Sequence, residues 1–219
     1  MQNNLKFNIL ETSQWSSLEH KDYGELKTLK KMQARRMTPL AKKAIDIVLS
    51  MDTSGDVDFI VYSSRHGELL LSYDLIQSIH EKEALSPIKF SQSTHNSTAG
   101  QLCILGKLKV PSTAISAGEE SFSMGMLSCV NYLADKPRSR VLYLFADAKL
   151  PRVYEKKINE IQEETIVAMT IENGQDYSVS ITHNNSNSKE AQSLQFLNWL
   201  ASNKKELSWD NLILKRETL

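Results

Sequence analysis

Between residues 97 and 147 the chain alternates small-residue or amphipathic helical stretches with short apolar runs. STAGQLCILGKL reads as a helix, Thr113 to Ser116 as a short strand, SFSMGMLSCVNYLAD as a helix and SRVLYLFADA as a second strand. Strands separated by helix-length segments do not close as hairpins, so this order demands a mixed or mostly parallel sheet covered by helices. The same alternation extends upstream: residues 39 to 51 carry a helical pattern, DFIVYSS (58–64) is a β-branched and aromatic run, and LLLSYDLIQSIHEKEAL is amphipathic before Pro87. TIVAMTIEN (165–173) and DYSVSITHN (176–184) read as two strands joined through Gly174, the pattern of a hairpin. No internal repeat is visible. The expected organisation is an irregular arm over 1–24, an α/β domain over 25–185 and a helical tail over 186–219.

With 219 residues, 41% of them hydrophobic, the chain is long enough to bury a substantial core. Lys plus Arg and Asp plus Glu are equal at 26 each, so no global field draws in nucleic acid or an anionic membrane. The basic run Lys27, Lys30, Lys31, Arg35 and Arg36 reads as a solvated face. No apolar run reaches membrane-spanning length and the first residues lack a secretory pattern, so the cytoplasm is the expected location. Cys103 and Cys129 both lie among apolar residues and read as buried thiols, not as a disulfide framework or a metal site. No metal or cofactor site is expected.

The stretch AISAGEESFSMG (114–125) joins a short strand to a helix through a small-residue corner at Ala117 and Gly118. Sharp corners of this kind lift one side chain clear and aim a helix N-terminus at it, which is how several folds present a nucleophile. Here the corner offers only Glu119 and Glu120. Their carboxylates also suit the first turn of a helix, where they complement its partial positive charge.

SPIKFSQSTHNSTAG followed by QLCILGKLKVPSTAISAGE resembles the N-terminal half of β-ketoacyl-ACP synthases. Ser86 and Pro87, Asn96, Ala99 and Gly100, and Pro111 and Ser112 match without a gap, which sets Glu119 where that family has its catalytic cysteine. KKMQARRMTPLAKKAI, the SRHGE of 64–68 and VLYLFADAKLP narrow the resemblance to the short ketoacyl-synthase-like chain length factors of aryl polyene and related fatty-acid or polyketide pathways. It covers roughly residues 30 to 170. The resemblance implies a thiolase-like layered α/β fold corresponding to one half of a synthase subunit, with the C-terminal half absent or replaced after about residue 170.

A condensing enzyme needs a thiolate to carry the acyl chain, and histidines or a histidine and a lysine to assist decarboxylation. A carboxylate at position 119 makes a poor acyl acceptor, because the anhydride would hydrolyse. His183, in ITHNNSN, reads as an exposed loop residue, and His95 as a residue satisfying a local backbone or partner contact. The implied function is therefore a non-catalytic subunit paired with a full-length β-ketoacyl-ACP synthase, meeting acyl carrier protein only indirectly. Thr113, Ala114, Ile115, Ser116 and Ala117 form the expected partner-interface strand, exposed to self-association when the chain is alone. Ile88, Phe90, Gln92, Asn96 and Met124, with Glu119, are the expected floor of a shared acyl pocket. The competing reading is an independent acyl-ACP decarboxylase or thioesterase with Glu119 as its base.

Overall fold

The structure, a computed structural model, describes residues 4–20, 22–155, 163–182, 188 and 190–217. His183 lies outside the described residues. In chain order the elements are β1 (Leu5–Ser16), α1 (Lys31–Ala34), α2 (Pro39–Leu49), β2 (Phe59–Ser63), α3 (Leu69–His80), α4 (Pro87–Gln92), α5 (Ser97–Leu105) and β3 (Ser112–Ile115). Then come α6 (Ser121–Asp135), β4 (Arg140–Asp147), α7 (Arg152–Glu155), β5 (Thr165–Asn173), β6 (Tyr177–Ile181), α8 (Gln192–Leu200), β7 (Glu206–Ser208) and β8 (Leu212–Arg216). Among the described residues, eight strands form one sheet in the order β3-β2-β4-β5-β1-β6-β8-β7. β2 is parallel to both β3 and β4, whereas β5, β1, β6, β8 and β7 pair antiparallel.

Both faces of the central strands are buried, and alternation sorts their side chains. Val61, Val141, Tyr143, Phe145, Val167 and Met169 pack with Phe122, Met126, Cys129 and Leu133 of α6 and with Phe196 and Trp199 of α8. Ile60, Tyr62, Leu142, Leu144, Ile166 and Ala168 pack on the opposite side with Leu40, Ala44, Ile45 and Val48 of α2 and Leu102 of α5. α6 approaches the sheet closely at Gly125, where an added Cβ would sit 2.7 Å from Ser63 Oγ and 2.7 Å from Tyr143 Cε2. Trp209, Leu212 and Leu214 join the α6 side, so residues near the C-terminus complete that core within the chain itself.

Three expectations are corrected here. The arm over 1–24 contains a 12-residue strand, β1, lodged between β5 and β6. Its period slips at a bulge between Ile9 and Glu11, and this break in the two-residue repeat hides it in the sequence. β5 and β6 accordingly do not form a hairpin. Their connection instead crosses the end of β1, where Asn8 Oδ1 accepts from Gln175 N at 2.8 Å and Asp176 N at 3.0 Å. The tail over 186–219 has one helix, α8, and then two strands, because ELS and LILKR extend the sheet.

The two edges differ. β7 is three residues long and carries a Lys215–Glu206 ion pair at 3.0 Å across its pairing with β8. β3 presents Ser112, Thr113, Ala114 and Ile115, with no charged side chain.

Candidate functional site

β3 runs into the corner anticipated from the sequence. Ala117 N donates to Ser121 Oγ at 2.9 Å, Ser121 Oγ donates to Gly118 O at 2.7 Å, and Gly118 takes a φ of +60°, which favours glycine. A 3-10 turn, Gly118–Glu120, then leads into α6. Glu120 stands at the N-cap position without a side-chain capping bond. One of the N-terminal donors is instead met from α8: Ser123 N donates to Gln192 Oε1 at 3.0 Å. Glu119 points outward, its side chain 73% exposed, and meets the Arg65 guanidinium at 3.2 Å.

Arg65 belongs to the loop between β2 and α3, which a half-buried carboxylate holds. Asp147, at the end of β4, accepts from Ser64 Oγ at 2.5 Å, Arg65 N at 3.1 Å and His66 N at 3.0 Å. Gly67 N closes the turn on Ser64 Oγ at 2.6 Å. Burial pushes the Asp147 carboxyl above its ordinary range despite these donors, and burial lowers the neighbouring His66 imidazole. The loop's far end is tied to α2: Thr38 Oγ1 donates to Glu68 Oε1 at 2.5 Å while accepting from Ala41 N at 3.1 Å. Burial raises Glu68, outweighing that hydrogen bond. SRHGE and FADA, two motifs far apart in the sequence, are therefore one structural unit, which the sequence offered only as separate points of resemblance.

His95 has its Nε2 2.9 Å from Ile115 O. A carbonyl can only accept, so that nitrogen carries the proton. The residue thus satisfies the last carbonyl of β3, the local role expected for it.

Above the corner lies a cleft of about 140 Å³, lined among others by Arg65, Glu119, Phe122, Asp147, Gln192 and Trp209. Neither cysteine lines it. Cys129 is fully buried and Cys103 partly so, and burial raises both thiols, a poor setting for a thiolate nucleophile. Among the described residues, no group of three His, Cys, Asp or Glu side chains is placed to hold a metal ion. No helix among them is long and apolar enough to cross a membrane.

Of the expected pocket-floor residues, Glu119 lines this cleft, whereas Ile88, Phe90, Gln92, Asn96 and Met124 do not. Ile88 and Phe90 on α4 are exposed, at 49% and 61%, and do not line it. Gln92 Nε2 donates to Arg36 O, Asn96 occupies the N-cap of α5, and Met124 is half-buried on α6.

No curated protein matches the sequence. Among solved structures, the chain is similar to one in the complex of the ketosynthase ApeO with its chain length factor ApeC from Xenorhabdus doucetiae. That match has a TM-score of 0.84 and 27% identity, covering 97% of this chain and 100% of that one. The ishigamide ketosynthase/chain length factor (TM-score 0.59, 16% identity, 80% of this chain) and a β-ketoacyl synthase from Burkholderia phymatum (0.59, 12%, 85%) share the fold. This chain spans 65% of the length of each of those two chains. The architecture is thus the thiolase-like α/β fold of ketosynthases. Residues 11–215 match the family described as β-ketoacyl synthase, N-terminal domain, and the chain belongs to that family.

Proposed function

We propose that the chain is a chain-length-factor subunit with no condensing nucleophile of its own, serving a full-length β-ketoacyl-ACP synthase in fatty-acid or polyketide-type synthesis of the aryl polyene kind. The observation that carries this reading is the corner after β3. Where the family resemblance calls for a cysteine, the chain has Glu119, exposed and paired with Arg65. A carboxylate there acts through hydrogen bonds and charge, since an acyl anhydride would not survive in water.

The synthase pairs along β3 and supplies the thiol and histidines. Carrier protein delivers acyl chains to that synthase, in the cytoplasm. Ile88, Phe90, Gln92, Asn96, Met124 and Glu119 shape or buttress the part of the acyl pocket that meets this subunit. Support comes from the open edge at β3 and from the exposed apolar side chains Ile88 and Phe90 on α4. The decarboxylase or thioesterase reading has less support, because a general base works from a sheltered site and the Glu119 side chain is 73% exposed.

The test is co-expression with a separately encoded full-length β-ketoacyl-ACP synthase, followed by assay of each chain alone and of the pair. The proposal expects the two chains to co-purify in equal amounts, condensation only by the pair, and no turnover of malonyl- or acyl-carrier by this chain alone. Steady turnover by the isolated chain that vanishes in Glu119→Gln would overturn it.

A further inference from the structure

The chain as a whole is electroneutral, but its charge is unevenly spread. Between Glu25 and Asp46 there is no acidic residue, and Lys27, Lys30, Lys31, Arg35 and Arg36 fall within that interval. All five are exposed, and none of them forms an ion pair with a described residue. A balanced total removes the long-range field, yet a cluster of this size sets up a local one within a Debye length of the surface.

The backbone that carries these cations is held from three sides. The buried carboxylate of Asp46 accepts from the N–H groups of Lys27, Thr28 and Leu29 at 2.8 Å each. Gln33 Oε1 closes the start of α1 on Lys30 N at 3.2 Å, and Gln92 Nε2 of α4 donates to Arg36 O. Leu29, Ala34 and Met37 are buried beneath the segment. The result is a fixed platform with unpaired, long cationic side chains on its outer side.

Met32 stands among those cations. It is the most exposed large apolar side chain among the described residues, at 80%. An unbranched, flexible thioether adapts to irregular apolar surroundings, and cations around it can remain at the level of phosphate groups. A protein partner reads a basic surface through matched ion pairs and a shaped apolar contact, whereas this segment offers a single apolar tip ringed by mobile charges. That arrangement complements a fluid, negatively charged boundary between headgroups and acyl chains.

We propose that residues 27–36 form a peripheral attachment surface for an anionic lipid bilayer, with Met32 inserted at the headgroup boundary and Lys27, Lys30, Lys31, Arg35 and Arg36 set against lipid phosphates. The surface lies outside β3 and the corner that follows it, so the proposal stands independently of synthase pairing. Attachment of this kind is reversible and requires no spanning helix.

The experiment floats the purified full chain with vesicles of phosphatidylcholine alone, or of phosphatidylcholine and phosphatidylglycerol in equal parts, with soluble poly-glutamate as a competing polyanion. Binding is expected only to the mixed vesicles, and it should weaken as salt rises. Each cation removed near an anionic membrane should cost about fivefold in affinity, so Arg35→Gln combined with Arg36→Gln should lose about thirtyfold. Met32→Ser should lose about tenfold by withdrawing the apolar tip. Met32→Trp should bind more tightly, and its emission should shift to the blue on mixed vesicles but not in poly-glutamate. All of these positions are exposed, and unchanged melting temperatures would confirm intact folding.

Failure to float with the mixed vesicles overturns the proposal, as does floating that ignores both the arginine and the Met32 substitutions. Binding that poly-glutamate abolishes and that Met32→Ser leaves unchanged also overturns it, and would assign the cluster to an acidic protein instead.

Discussion

Arg65 Nη2 lies 3.2 Å from Glu119 Oε1, joining the loop after β2 to the corner after β3. The two partners are unequal, with Arg65 17% and Glu119 73% exposed, so one end is anchored and the other is in water. An exposed pair of this kind contributes little to folding, on the order of 0–1 kcal/mol. Glu119→Ala is therefore expected to leave the melting temperature nearly unchanged while altering what the corner presents to a neighbouring chain. A thermal melt of the variant checks the first point, and a large drop in melting temperature would show that the pair holds the fold.

If α4 and the start of α6 meet the acyl pocket of a paired synthase, Phe90→Ala and Met124→Ala should lengthen the products of the reconstituted pair by removing bulk. Product mass spectrometry reads this directly, with gel filtration confirming that the complex remains intact. An unchanged length distribution in an intact complex would leave only a scaffolding role.

Asp46 on α2 is fully buried and accepts from Leu29 N, Thr28 N and Lys27 N at 2.8 Å each and from Tyr23 Oη at 3.0 Å. Burial works against its charge, but the hydrogen bonds from Leu29, Lys27, Thr28 and Tyr23 prevail and hold the carboxyl below its ordinary value. The stability it contributes is present above the ordinary carboxylate range and disappears as pH falls through the lowered folded value. Asp46→Asn should cost about 2–3 kcal/mol near neutrality and flatten this part of the acid limb of the stability curve. Denaturant melts across pH would show it.

Glu68 runs in the opposite sense. Its carboxyl is raised by burial, so the ionised form opposes folding. The contribution is complete below the ordinary carboxylate value and is lost as pH rises through the folded one. Glu68→Gln, which can still accept from Thr38, should remove that slope in the pH window above the ordinary carboxylate value. A variant with the same pH dependence as the parent would show that Glu68 does not titrate in that window.

At Gly125, alanine would ordinarily favour a helix by about 1 kcal/mol. Here the added methyl meets Ser63 and Tyr143 at 2.7 Å, and overpacking of about 1–3 kcal/mol should prevail. The melting temperature of Gly125→Ala should fall, and a rise would mean that α6 can move off the sheet.

The corner and its flanking elements were legible in the sequence because strand, small-residue turn and helix are local signals. β3 came within one residue of its expected bounds. The sheet order was not legible. β1 combines polar Asn8, Glu11 and Gln14 with a bulge, and its place between β5 and β6 depends on pairings some 160 residues apart, such as Phe7 with Asn173. The clasp of Asp147 on Ser64, Arg65 and His66 was hidden for a similar reason. Both motifs were noticed, but only the parallel pairing of β2 with β4 brings their ends together. The cap that Gln192 places on α6 left no local signal, since a glutamine at the start of one helix says nothing about the start of another.

The unlike borders of the sheet set a limit on valence. Three residues and a Lys215–Glu206 pair close one border, while the uncharged β3 leaves the other open. A chain with one such open border behaves as a chain terminator: once it is occupied, the short, charged border is the only sheet edge left among the described strands, and it resists the addition of further copies. Concentrating such a protein drives it to a finite particle instead of a fibre.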